Sequence, residues 1–181
     1  KNKILLLIFY FLLNIYKYKF IHLIYIVMTI KKKNCVFLDR DGVINIDKGY
    51  ISKISNFKMY PGIGRAINFI NKKKYLVIIV TNQSGVGRGL IKMKQLKAIH
   101  DYLQNKIKKF EANIDDIYFC PYHKEFGKGK YKKKSEDRKP GSGMLKKAIK
   151  KWNINLSKSF MIGDKITDKL AAENVNIKFF Y

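Results

Sequence analysis

Five short apolar runs alternate with segments of helical periodicity, and this alternation constrains the fold more than any other feature of the chain. The runs lie at residues 36–38, 75–80, 116–120, 159–162 and 177–180. Between the second and third runs, the apolar residues follow one helix face: Met93, Leu96, Leu103, Ile107 and Phe110. The alternation predicts an α/β fold, a three-layer Rossmann-like parallel sheet of about five strands with helices on both faces. Residues 43–60 are too few for a separate lid, so we expect no large cap domain.

The first run ends in two carboxylates, Asp39 and Asp41, followed by Gly42. In open α/β sheets, ligands bind outside the carboxyl ends of the strands. Asp39 there can attack phosphorus, while Asp41 protonates the leaving oxygen and later activates water. A magnesium ion would offset the repulsion between the two acids and the phosphate. An Asp-x-Asp pair alone is weak evidence, because acid pairs are common on solvated loops.

Polar groups also follow the later strands. Thr81 and the residues up to Ser84 come directly after the second run, where a hydroxyl and backbone amides can hold a phosphate oxygen ahead of a helix. The alternative is an ordinary helix lead-in. Lys139 precedes a proline-led helix and can direct its ammonium at a phosphate, and Arg138 can grip a second anionic group. Surface charge is the alternative for both.

A third acid, Asp164, follows the fourth run and is suited to complete a magnesium shell, with Asp168 bracing it from the next turn. His100 lies within the apolar face of the third helical segment, which indicates a packed or surface histidine rather than a ligand. Four successive strand ends thus carry a nucleophile, a phosphate-holding hydroxyl, a lysine and a metal-binding acid. Together they predict phosphate chemistry.

Composition sets the broad class of the protein. A chain of 181 residues that is 47% hydrophobic is long and apolar enough for one domain with a core. The net charge of +25 could indicate binding to nucleic acid, to an acidic membrane or to an anionic substrate, and we favour the substrate. Cys35 and Cys120 are too few for a disulfide framework, which favours a reducing cytoplasm.

The amino-terminal segment, residues 1–27, differs from the rest. Its apolar stretch is interrupted by Lys17 and Lys19 before it reaches the length of a membrane span, and no signal-peptide cleavage site follows. We interpret residues 1–27 as upstream sequence translated ahead of a native start at Met28, with a membrane anchor as the alternative. Residues 28–181 then form one domain, and the strand at its very end suggests a truncated carboxyl terminus.

The ordered motifs resemble those of the haloacid dehalogenase (HAD) superfamily of phosphatases, subfamily IIIA, from about Cys35 to the end of the chain. They read Asp-Arg-Asp-Gly at 39–42, Thr-Asn-Gln-Ser-Gly at 81–85, Arg-Lys-Pro at 138–140 and Gly-Asp-Lys at 163–165. This combination resembles one branch in particular, that of the heptose-bisphosphate and histidinol phosphatases.

The resemblance implies roles for individual residues. Asp39 would be the nucleophile and Asp41 the acid/base, with Thr81 and Lys139 steadying the transferred phosphoryl group. Mg²⁺ would be bound by Asp39, the backbone carbonyl of Asp41, and Asp164. The positions that correspond to substrate-contacting residues are Asp47, Lys48, Gly49, Tyr50, Asn82, Gln83, Ser84, Arg138 and Lys165.

The resemblance further implies a magnesium-dependent phosphomonoesterase that acts on a small-molecule sugar bisphosphate, with its product used in bacterial surface polysaccharide. We expect a cytoplasmic monomer without nucleic-acid or membrane partners. Hydrolysis of histidinol phosphate is one alternative. Another is a basic protein that binds nucleic acid or processes its ends on the same fold.

One departure from the family concerns a structural zinc. Family members often hold it with Cys-x-His after the third strand and Cys-x-Cys before the Arg-Lys-Pro motif. Here Cys120 is present, but Tyr122, Ser135 and Asp137 occupy the other three positions. Zinc requires four good ligands, and although His123 and Asp137 could improvise a site, we predict that zinc is lost and that Cys120 is a remnant. The loop would then be less well fixed, which affects specificity more than catalysis.

Overall fold

The computed structural model describes residues 16–21 and 31–181. The chain divides into two units, Lys1–Lys32 and Lys33–Tyr181, and in the first unit residues 16–21 are helical. The interpretation of residues 1–27 falls largely outside the described residues. Within the described ranges, no helix is both long enough and apolar enough to cross a membrane.

The second unit contains a five-stranded parallel sheet, which confirms the predicted fold class. In chain order the strands are β1 (Cys35–Leu38), β2 (Leu76–Asn82), β3 (Asp116–Cys120), β4 (Phe160–Ile162) and β5 (Lys178–Phe180). Their spatial order is β3-β2-β1-β4-β5. The chain builds outward from β1 through β2 and β3, then crosses to the other side for β4 and β5. A crevice therefore opens between the carboxyl ends of β1 and β4, where such sheets bind ligands.

Helices cover both faces of the sheet. They are α1 (Ile63–Lys72), α2 (Ser84–Gly87), α3 (Met93–Lys108), α4 (Gly143–Trp152) and α5 (Ile166–Glu173). Single 3-10 turns lie at Ile54–Asn56, Gly129–Tyr131 and Leu156–Lys158. Because successive strand side chains point to opposite faces, Val36 and Leu38 pack with α1 and α3, whereas Phe37 packs with α4 and α5. Two apolar cores therefore enclose β1, which fixes the position of the residues that follow it.

Three details of the sequence prediction require correction. The short helix α2, which was not predicted, comes directly after β2 and precedes the long helix α3. Met93 is the first residue of α3 and is exposed. Phe110 lies beyond the end of α3, where its ring covers Gly64 while remaining 43% exposed. The sequence analysis placed both residues on the apolar helix face because periodicity does not show where a helix begins or ends.

The segment between β1 and α1 does not form a cap domain. Ile51 and Phe57 are buried in the same core as α1 and α3, and Asn45 forms an isolated antiparallel bridge with Met59. The segment is thus a loop held against the sheet domain, as its length predicts.

Candidate active site

The predicted site residues converge on one cleft at the carboxyl ends of the strands. Its lining comprises Asp39, Asp41, Asp47, Gly49, Tyr50, Thr81, Asn82, Gln83, Ser84, Lys139, Lys165, Thr167 and Asp168. The cavity volume is about 230 Å³, below the ~300–1,000 Å³ of sites for drug-sized ligands. Lys48, Arg138 and Asp164 are absent from the lining, and Thr167 is an additional member. The cleft therefore suits a small polar substrate.

A buried lysine joins two acids beneath the cleft. The Nζ atom of Lys139 lies 3.0 Å from Oδ1 of Asp39 and 2.6 Å from Oδ1 of Asp168, and it donates a hydrogen bond to the Val80 carbonyl at 2.8 Å. Burial raises the pKa of Asp39, and the charge of Lys139 opposes this effect. Asp168 was expected to brace Asp164, but its carboxylate contacts Lys139 and accepts a hydrogen bond from the backbone N–H of Lys165.

Asp41 is held by donors from three side chains. Arg40 Nη2 donates to Oδ2 of Asp41 at 2.8 Å and Asn45 Nδ2 donates to its Oδ1 at 2.9 Å. Gln83 Nε2 lies 2.8 Å from Oδ2 of Asp41 and 2.9 Å from Oγ1 of Thr81. Gln83 thereby links the acid at the end of β1 to the hydroxyl at the end of β2, two groups that the sequence placed at one sheet edge.

Three carboxylates have the arrangement of a metal site. Oxygens of Asp39, Asp164 and Asp168 lie within 4.8 Å of one another. Among the described residues, the hydrogen bonds to Asp39 fall on its Oδ1 atom, which leaves Oδ2 for a cation. Gly42 has φ +92°, and a Cβ at this position would collide with the Asp164 carboxylate. Hard oxygen donors beside open solvent suit Mg²⁺, which retains several water ligands.

The loop after β1 closes one side of the cleft. Nζ of Lys165 lies 2.8 Å from Oδ2 of Asp47, whose Oδ1 accepts a hydrogen bond from the backbone N–H of Gly49. Burial favours the neutral acid, but the hydrogen bonds from Lys165 and Gly49 and the nearby positive charges together outweigh burial and lower the pKa of Asp47. A Cβ at Gly85 would meet the Tyr50 ring, so this glycine allows the loop to lie against the end of β2.

Comparison with known proteins shows the family of the chain. The HAD-hydrolase-like family model matches residues 137–181. The D-glycero-beta-D-manno-heptose-1,7-bisphosphate 7-phosphatase of Haemophilus ducreyi is 42% identical over 147 residues, 81% of this chain and 80% of that protein. The chain belongs to the HAD-type heptose-bisphosphate phosphatase family. The protein of the same name from Escherichia coli K12 is 34% identical, with 81% of this chain and 77% of that protein covered.

Solved HAD structures share the fold. A D,D-heptose 1,7-bisphosphate phosphatase from B. bronchiseptica, complexed with magnesium and phosphate, aligns with a TM-score of 0.73 at 28% identity, covering 81% of this chain and 78% of that one. A HAD-like phosphatase from Mesorhizobium loti aligns with a TM-score of 0.77 at 31% identity, and the alignment covers 81% of this chain and 70% of that one. Mg²⁺ is the cofactor of HAD phosphatases, and the acids around Asp39 fit it.

Beside the HAD cleft, two arginines lie close together. The Cζ atom of Arg88 is 5.6 Å from the centre of the Tyr50 ring and 4.5 Å from that of Phe126. Burial and the charge of Arg88 lower the pKa of Arg138. Buried atoms of both guanidinium groups, Arg88 Nε and Arg138 Nη1, have no hydrogen-bond partner within the described part of the chain. Sequence reasoning missed Arg88, since nothing in so basic a chain distinguishes one further arginine.

The residues at the family's zinc positions do not fit zinc. Tyr122 packs against Tyr131, with Nζ of Lys133 located 4.2 Å from the centre of the Tyr122 ring. Asp137 pairs with Lys147, a residue of α4. In residues 16–21 and 31–181, the cluster of side chains that could hold a metal ion is the one formed by Asp39, Asp164 and Asp168. Loss of zinc remains a prediction, and contacts between side chains hold this loop.

His123 does not complete a zinc site either. Its Nδ1 atom accepts hydrogen bonds from the backbone N–H groups of Glu125 and Phe126 at 3.2 Å each. Its ring also packs against the Phe126 ring, with 4.9 Å between the centres. The histidine therefore shapes the turn that begins the loop.

Proposed function

We propose that this protein is a magnesium-dependent phosphomonoesterase that removes the 7-phosphate of D-glycero-D-manno-heptose 1,7-bisphosphate. The observation that carries the proposal is the convergence of Asp39, Asp41 and Lys139 at one cleft, with a carboxylate oxygen of Asp164 within 4.8 Å of one of Asp39, in a chain 42% identical to a phosphatase of that name. These four residues supply a nucleophile, an acid/base, a fixed cation and a metal ligand.

The first chemical step is attack of an Asp39 carboxylate oxygen on phosphorus. The ammonium of Lys139 and the hydroxyl of Thr81 stabilise charge on the phosphoryl oxygens as the bond to the sugar breaks. Asp41, in its protonated form, gives its proton to the departing sugar oxygen. The products are the sugar alcohol and an aspartyl-phosphate at Asp39.

The second step returns the enzyme to its starting state. Asp41, now a carboxylate, takes a proton from a water molecule, and the resulting hydroxide attacks phosphorus. The bond to Asp39 breaks, and inorganic phosphate leaves. Magnesium, when held by Asp39, Asp164 and the Asp41 backbone carbonyl, supplies positive charge that offsets the charge of the phosphoryl group.

Recognition of a bisphosphate requires a second anion site. Arg88 and Arg138 are suited to hold the phosphate that is not cleaved, because their guanidinium groups pair with no carboxylate among the described residues and each has a buried atom without a hydrogen-bond partner. Phosphate accepts paired hydrogen bonds from such planar groups. Tyr50, which Arg88 contacts, lines the cleft and so connects the two phosphate positions.

We further propose a monomer that works in the cytoplasm on this small molecule and has no nucleic-acid partner. The narrow cleft of about 230 Å³ favours a sugar phosphate over a nucleic-acid strand. The dephosphorylated sugar would then enter the synthesis of activated heptose for surface polysaccharide.

The test is phosphate release by the full chain with Mg²⁺, from heptose 1,7-bisphosphate and histidinol phosphate side by side. We expect rapid release from the heptose substrate, abolished by chelation and by Asp39→Asn. The Asp39→Asn protein should retain the far-ultraviolet circular dichroism spectrum of the wild type. Release from histidinol phosphate alone, or an active Asp39→Asn protein, would overturn the proposal.

A further inference from the structure

A fully buried arginine lies directly behind the acid/base. Arg40 has 0% exposure. Its Nη2 atom donates to both carboxylate oxygens of Asp41, at 3.0 and 2.8 Å, and its Nε atom lies 3.3 Å from Oδ1. A buried guanidinium is costly unless its N–H groups are paired. The remaining terminal nitrogen, Nη1, lies 3.1 Å from Nε2 of His100 on α3.

The partner of that nitrogen must be a neutral histidine. A guanidinium only donates hydrogen bonds, so Nε2 of His100 accepts and the ring carries its proton on Nδ1. Burial and the charge of Arg40 lower the pKa of His100 to about 3, which agrees with this tautomer. The His100 ring is also packed against Phe119 of β3, with 5.7 Å between the ring centres.

These contacts restrain the guanidinium from several sides. Phe57 lies beneath it, with 6.0 Å between Cζ and the ring centre. Asp41 and His100 bind opposite ends of the planar group. Without the acceptor on His100, Nη1 of Arg40 would lose its hydrogen-bond partner and the guanidinium would rotate to find another. The Asp41 carboxylate, which is bound to the same guanidinium, would be displaced as well.

We propose that His100 is a positioning residue for the reaction, which orients Asp41 by fixing the guanidinium of Arg40. The inference rests on the proposed function, because it takes Asp41 to be the acid/base. Neither His100 nor Arg40 lines the cleft, so each acts through its neighbour. Sequence reasoning treated His100 only as a packed or surface residue.

A positioning role differs from simple core packing in its dependence on the leaving group. A sugar alkoxide is a poor leaving group and needs the proton from Asp41, whereas p-nitrophenolate leaves without one. Misplacement of Asp41 should therefore slow cleavage of a sugar phosphate while sparing formation of the aspartyl-phosphate from p-nitrophenyl phosphate. General damage to the fold would slow both reactions equally.

The experiment compares His100→Leu, which removes the acceptor, with His100→Gln, which retains one. Asp101→Asn, an exposed neighbour on the same helix, is the control. In the full chain we expect His100→Leu to lower kcat for heptose bisphosphate by about 10²-fold, consistent with the usual contribution of general acid–base catalysis. The burst of p-nitrophenol should change less than about threefold, and His100→Gln should regain most of the lost rate. Equal losses on both substrates, or no rescue by His100→Gln, would overturn the inference.

A second measurement is independent of substrate and of folding of the leucine variant. The ¹⁵N–¹H spectrum of the wild-type protein near neutral pH should show His100 as the neutral tautomer with its proton on Nδ1. A proton on Nε2 would exclude the contact with Arg40. If the wild type leaves heptose bisphosphate intact, the proposed function fails, and the His100 variants are then compared on an alkyl phosphate that the enzyme does cleave.

Discussion

The ammonium of Lys139 lies 2.6 Å from the carboxylate of Asp168, and both side chains are almost completely buried. Asp168 comes four residues after Asp164, the acid proposed to bind the metal, yet its carboxylate contacts the lysine. Held between Asp168 and Asp39, the lysine presents a fixed positive charge to Asp39, the proposed nucleophile, and to any phosphoryl group attached to it.

Exchange of Asp168 or Asp164 for asparagine should separate the pairing of the buried lysine from the binding of Mg²⁺. Asp168→Asn leaves the buried Lys139 without its nearest counter-charge, so we expect the free energy of unfolding to fall by about 3–5 kcal/mol, as for other broken buried pairs. Asp164→Asn should leave stability within ~1 kcal/mol because its side chain is partly solvated, while it raises the Mg²⁺ concentration needed for half-maximal activity. Urea unfolding and magnesium titration measure the two effects, and equal stability of the two variants would contradict the assignment.

Gly42 should be required by the metal site. Gly42→Ala places a side chain at φ +92° and against the Asp164 carboxylate. Gly62→Ala is the matched control, since Gly62 has φ +82° and open space around it. Both variants should lose about 1–2 kcal/mol of stability from backbone strain. Only Gly42→Ala should weaken activation by Mg²⁺, and a similar weakening in Gly62→Ala would show that strain alone is responsible.

Arg88 should discriminate bisphosphates from monophosphates. Loss of a charge-assisted hydrogen bond is typically worth about 1.5–3 kcal/mol, so Arg88→Gln should lower kcat/KM for heptose 1,7-bisphosphate by roughly 10–100-fold. The kcat/KM of Arg88→Gln for a monophosphate of the same sugar should equal that of the wild type. Arg65→Gln on the exposed face of α1 controls for the loss of one positive charge. Equal losses on the two substrates would place Arg88 outside the second phosphate site.

Burial of neutral His100 should make stability depend on pH. The folded-state pKa is about 3, against an ordinary value of 6.5, so between these values the unfolded chain binds a proton that the folded protein does not. The contribution of His100 to the free energy of unfolding is therefore fully present above about pH 6.5. It falls as the pH decreases below that value, by up to ~1.4 kcal/mol per pH unit. Urea unfolding from about pH 7 to 5 should show a shallower decline for His100→Gln, and parallel curves would argue against a neutral buried histidine.

Much of the site followed from the sequence because in a parallel sheet the carboxyl ends of all strands meet at one edge. Asp39 and Thr81 directly follow an apolar run and Asp164 follows one after Gly163, so recognition of the strands was enough to bring the three together. The loop at 47–50, which is proposed to contact the substrate, was placed beside them by its nearness to Asp39 in the chain. Apolar periodicity was less informative at helix ends, as Met93 and Phe110 show.

The sequence by itself thus determined the order of strands and helices, the acids at the strand ends and the family. Only the tertiary structure decided the partners of the charged groups. Asp168 pairs with Lys139, Arg88 contacts Tyr50, and Arg40 binds His100, although 60 positions separate the last two residues in the chain. The physical reason is that burial patterns depend on residue type and spacing, which a sequence displays. A hydrogen bond requires that the distance between donor and acceptor be correct to within a few tenths of an ångström and that the two groups be aligned. Such positions are reached only when the helices pack on the sheet.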